Sequence, residues 1–104
     1  SLKCVEIKKN MGWCNDVRFP KKYNKILKIK KNIKYENLKR KDNKYDLLIP
    51  IKYNFEKPIP GLGSCIFIHL TRDYKPTEGC IALSQKDFLI MLKIIKKNSI
   101  IKIL

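Results

Sequence analysis

Apolar positions gather in the second half of the chain, in short runs separated by proline, glycine and charge. Cys65-Ile66-Phe67-Ile68-His69-Leu70 is a compact run that predicts a strand, and residues 80–83 predict a second, briefer one. The polar stretch 71–78, with Pro76, predicts the loop between them. Upstream, residues 45–53 carry Leu47, Leu48, Ile49, Ile51 and Tyr53, a strand pattern that Pro50 interrupts. Proline cannot donate to a ladder, so this strand belongs at an edge or carries a bulge. Residues 57–63 hold Pro58, Pro60, Gly61 and Gly63 and read as a loop. Ser84 predicts a helix start, with Asp87 three residues on in the place a capping box gives to Glu. Phe88, Leu89, Leu92 and Ile95 follow at helical spacing, Asn98 is placed to end the helix, and residues 100–104 read as a last strand. The first half is weaker. Residues 3–8 suggest a short strand, 10–20 an irregular loop, 23–33 a strand or a short helix, and 36–44 a charged connector. The pattern is mainly β with one helix, an α+β class.

Composition bounds this picture. A chain of 104 residues is one domain, 1–104, and 44% apolar residues suffice for a core. No apolar run is long enough to span a bilayer and no signal-peptide pattern opens the chain. It begins Ser1-Leu2-Lys3, without Met, as a processed, trimmed or partial product would. The formal charge is +15, carried by lysine, with arginine only at Arg18, Arg40 and Arg72. A base-reading or phosphate-clamping surface favours the planar arginine fork, so no specific nucleic-acid partner is predicted and the lysines read as solvated charge. A small basic module for nucleic acid or anionic polymer stands as the alternative. It would bind less tightly as salt rises and would carry no reactive thiol.

The four cysteines, Cys4, Cys14, Cys65 and Cys80, form no C-x-x-C pair, and His69 is the single histidine. That does not supply a structural zinc site. Four cysteines allow three disulfide connectivities, but a working thiol at Cys80 leaves room for one bridge, and buried free thiols are the simpler reading of Cys4 and Cys65. A strand delivers His69 and the next brings Gly79-Cys80 beside it. An imidazole that takes the proton of a thiol, whose thiolate then attacks a carbonyl, is nucleophilic catalysis. Gly79 lets a substrate approach the backbone, and the N–H groups near Cys80 could face a developing oxyanion. Residue types alone leave a core thiol beside a strand-end histidine equally open.

The local order is more specific. Gly63-Ser64-Cys65-Ile66-Phe67-Ile68-His69, followed by Pro76-Thr77-Glu78-Gly79-Cys80-Ile81-Ala82-Leu83 and Asp87, resembles the signature of the YkuD-like L,D-transpeptidase catalytic domain. Gly12-Trp13-Cys14-Asn15-Asp16, Tyr23-Asn24, Arg40-Lys41-Asp42 and Tyr45-Asp46-Leu47 resemble segments of a compact branch of that family, so the likeness runs from Gly12 to about Ile95. The motif's His before Gly-Cys is Glu78 here, its Arg is Ala82, and the loop after His69 is shorter. The family's N-terminal Gly-Asp/Lys-x-Pro-x-Gly stretch has no counterpart, which suggests a mixed sheet or β-sandwich without its N-terminal strands.

The resemblance implies that Cys80 attacks a wall stem peptide before its terminal D-residue, with His69 as base and the Leu70 carbonyl orienting the ring. The resulting thioester passes to an amine (transpeptidase) or to water (carboxypeptidase). It implies no metal or organic cofactor, peptidoglycan stem peptides as partners, and a bacterial envelope or periplasmic location. Oligomeric state is open. Weaker candidates for substrate contact are Trp13 in a groove, Arg40 on a carboxylate, Tyr53 from a neighbouring strand, and Thr77 and Glu78 before the nucleophile. For Trp13 a core anchor, and for Arg40 pairing with Asp42, are the plainer readings.

Overall fold

In a computed structural model the chain is described over residues 5–74, 77 and 79–102. Six short strands and one helix follow in order: β1 (Met11–Cys14), β2 (Ile26–Lys28), β3 (Tyr35–Asn37), β4 (Leu48–Pro50), β5 (Phe67–Leu70), β6 (Ile81–Leu83) and α1 (Gln85–Leu92). The architecture is mainly β with one helix, as the pattern predicts. One antiparallel sheet has the order β2-β1-β3. The second, β4-β5-β6, is mixed, with β4 antiparallel and β6 parallel to β5. Pro50 ends β4, and β4 lies at an edge, where a missing N–H costs least.

The first half departs from expectation. Residues 5–8 are not a strand, and residues 10–20, read as a loop, contain β1 at the centre of the first sheet. Gly12 sits close under its neighbours: a Cβ there would meet Tyr35 Cδ2 at 3.1 Å and Ile29 Cγ1 at 3.2 Å, so a larger residue would push these side chains back by a few tenths of an ångström. The ambiguous segment 23–33 supplies strand β2, and β3 takes the start of the charged connector. The helix ends at Leu92, well before Asn98, and residues 100–102 are not strand. Residues 103 and 104 lie outside the described residues.

The two sheets share one core. Trp13 from β1, Leu38 beyond β3, Tyr45 before β4 and Phe67 from β5 form a buried cluster. The Phe67 ring meets Trp13 and Tyr45 edge-on, at 5.2 and 5.6 Å between centroids, a favoured aromatic geometry. Polar bolts cross the same seam. Asn24, buried and left-handed at φ 57°, accepts from Trp13 Nε1 at 2.8 Å and donates to the carbonyls of Tyr53 and Asn54. Ser64 Oγ donates to the Cys14 carbonyl at 2.6 Å. Within the first half of the chain, Asp16, also buried, accepts from the Arg18 side chain and from the backbone N–H groups of Arg18 and Lys34. These bonds hold its carboxyl well below the usual carboxylate range, the Arg18 side chain contributing most.

Candidate active site

The β5–β6 ladder positions the chemistry. His69 pairs with Ala82 across parallel strands, and Cys80 precedes Ala82 by two residues. Paired residues of parallel strands share a face, so Ala82 stands beside His69, with Cys80 just ahead of β6. His69 and Cys80 both line one open cleft of about 790 Å³, together with Cys65, Tyr45, Leu70 and Thr77. Charges of both signs rim it, among them Glu36, Asp42, Lys44 and Arg72.

His69 is buried. Its Nδ1 lies 2.8 Å from the Leu70 carbonyl, an atom that can only accept. The proton therefore sits on Nδ1, and the neutral ring presents a bare lone pair at Nε2. Nε2 is buried and has no hydrogen-bond partner among the described residues. Burial also disfavours the imidazolium and lowers the His69 pKa. The Tyr45 ring stands against the imidazole, 5.7 Å between centroids, and the Tyr45 hydroxyl donates to Glu36. Burial, with Glu36 beside it, pushes the Tyr45 hydroxyl well above the usual tyrosine range.

The Cys80 thiol donates to the Cys65 carbonyl at 3.1 Å and does not engage Nε2. Cys65 adopts a left-handed backbone at φ 61°, uncommon outside glycine, and its carbonyl holds the thiol in this position. The Cys65 thiol itself is pushed up to about 11 by burial. Cys14, Cys65 and Cys80 are free thiols, and Cys4 lies outside the described residues. Gly79 has φ +117°, while a Cβ there would meet only Ile66 at 3.6 Å, so backbone conformation rather than space calls for glycine. Thr77 Oγ1 donates to the Cys80 carbonyl and ties down the turn before β6.

The remaining sequence candidates lie elsewhere. Trp13 is buried in the core with its N–H on Asn24, the anchor reading. Arg40 is forked onto Asp42 and reaches Glu36, with its guanidinium over the Tyr45 ring. Tyr53 is exposed and packs over Gly63, where a Cβ would meet its ring at 2.8 Å. Neither Trp13, Arg40 nor Tyr53 lines the cleft. Glu78 lies outside the described residues. Sequence reasoning missed Tyr45 as the wall behind the imidazole and the Cys65 carbonyl as the thiol's partner. Tyr45 left a trace in the Tyr-Asp-Leu stretch, whereas a carbonyl leaves none.

A family model, the YkuD L,D-transpeptidase catalytic domain, matches residues 9–103. Comparison with curated proteins and with solved structures found no match.

Proposed function

The chain belongs to the YkuD family of L,D-transpeptidase catalytic domains, and from that membership we propose that it transfers an acyl group through a thioester on Cys80, with His69 as the base. The family acts on peptidoglycan stem peptides. The observation that carries the reading is His69 Nε2, a buried, deprotonated and unpartnered nitrogen in the cleft that Cys80 also lines. With no protein group bonded to it among the described residues, this acceptor is available to take a proton from a thiol in the same cleft.

Rotation about the Cys80 side-chain bond moves the thiol from the Cys65 carbonyl toward Nε2, and resting sites are often looser than working ones. Nε2 takes the thiol proton, and the thiolate attacks the stem carbonyl next to the terminal D-residue. Backbone N–H groups at Gly79 and Cys80 face the resulting oxyanion. The intermediate collapses, the C–N bond breaks, and the leaving amine takes the proton from Nε2. An acceptor amine then attacks the thioester carbonyl and gives its proton to Nε2; the C–S bond breaks, the new amide is released, and the Cys80 thiolate takes the proton back from Nε2. Water in its place makes the outcome carboxypeptidase action. The location that goes with this substrate is the bacterial envelope.

The test is intact-protein mass spectrometry after incubation with a tetrapeptide stem or a carbapenem. One adduct on Cys80, absent in Cys80→Ser, is expected. An adduct that forms equally on Cys65 or in the Cys80→Ser variant would overturn the assignment.

A further inference from the structure

Helix α1 and the residues after it leave a surface that acyl transfer does not use. The helix rests on β5 and β6 and has five consecutive apolar residues, Phe88 to Leu92, yet only Phe88 is buried. A helix apolar on most sides is ordinarily covered. Here Leu89, Ile90 and Leu92 are exposed, and beyond them Ile94 is 70% and Ile100 91% exposed. Lysines are interleaved at Lys86, Lys93, Lys96, Lys97 and Lys102, all exposed, and no acidic residue occurs from 88 to 102. The nearest carboxylate in sequence, Asp87, accepts from the Tyr74 hydroxyl at 2.5 Å.

We propose that this face docks on an anionic lipid bilayer, aliphatic side chains at the headgroup boundary and lysines on the lipid phosphates. Exposed apolar side chains gathered in one short stretch of chain, residues 89–100, mark an interaction site. Two features choose the occupant. A second copy of the chain would set lysine against lysine, in a molecule already at +15. A soluble polyanion would use the lysines but gain nothing from Ile94 and Ile100. A basic surface studded with aliphatics suits an anionic interface, where apolar burial and phosphate attraction add. The proposal is independent of Cys80.

The experiment is co-sedimentation of the full chain with vesicles of phosphatidylcholine alone or mixed equally with phosphatidylglycerol. Binding to the mixed vesicles only, falling with added salt, is expected. Ile94→Ser with Ile100→Ser should abolish it, and Lys93→Gln, Lys96→Gln and Lys97→Gln together should weaken it about a hundredfold. These positions are exposed, so an unchanged thermal midpoint checks the fold. Absence of sedimentation with anionic vesicles would overturn the proposal. So would binding to polyphosphate beads and vesicles alike that survives the isoleucine changes, which indicates a polyanion site. Light scattering that shows a dimer, lost in the isoleucine variant, would assign the face to self-association instead.

Discussion

At the scale of single residues the proposed site combines a base held ready and a nucleophile held aside. His69 has its tautomer set by one carbonyl, and Cys80 has its thiol parked on another. Cys80→Ser should lower peptide exchange by at least about a thousandfold with an unchanged circular dichroism spectrum, because a hydroxyl beside the same imidazole ionises far less readily than a thiol and is a poorer nucleophile. Burial lowers the His69 pKa from its ordinary 6.5. The free base then persists to lower pH, and the acid limb of kcat/KM should have its midpoint below 6.5, as a pH–rate profile would read. A midpoint at or above 6.5 would contradict the burial argument. Cys65, pushed up to about 11, should label with iodoacetamide much more slowly than Cys80 at neutral pH, and His69→Gln should narrow the gap.

At the scale of elements, the helix start is made by a relay rather than a simple capping box. Ser84 Oγ accepts from the Asp87 N–H, as the sequence suggests. The reciprocal contact runs through Tyr74, whose hydroxyl accepts from the Ser84 N–H and donates to the Asp87 carboxylate. Ser84→Ala should cost about 1 kcal/mol in a denaturant titration. Tyr74→Phe removes the largest influence holding the Asp87 carboxyl down, so carboxyl NMR should show that pKa rise toward 3.8. An unmoved Asp87 titration would mean that the relay does not form in solution.

At the scale of the whole molecule, Phe67 is the contact on which both sheets converge. Phe67→Ala should cost about 3–5 kcal/mol, comparable with the whole stability of a small domain, and calorimetry should show no cooperative transition at 37 °C. Acid should unfold the chain in two stages whose signs follow from proton linkage. The unfolded state binds more protons than the folded one wherever a folded pKa is depressed, so stability falls as pH drops through that window. For His69 the loss begins below 6.5; for Asp16, held low by Arg18, it begins only below 3.8. His69→Gln should erase the first stage and leave the second, measured by urea midpoints across pH.

The sequence by itself determined the elements whose signals are local. The apolar run of β5, the short β6, Pro50 at an edge and Ser84 as a cap are all settled within a few neighbouring residues. It also carried the order of His69, Gly79 and Cys80 on which the family likeness rests. Tertiary structure alone decided that Met11–Cys14 is a central strand, because a four-residue run containing Gly12 and flanked by turn-forming residues is stabilised only by its ladder partners in β2 and β3. For Trp13 and Arg40 it chose the plainer of the two readings that the sequence left open, the core anchor and the pair with Asp42. The resting partner of the Cys80 thiol is likewise a backbone carbonyl from a distant turn, which no side-chain pattern encodes. Propensity, alternation and caps act between neighbours, whereas desolvation and ladder pairing depend on segments as far apart as Cys14 and Ser64, fifty residues along the chain.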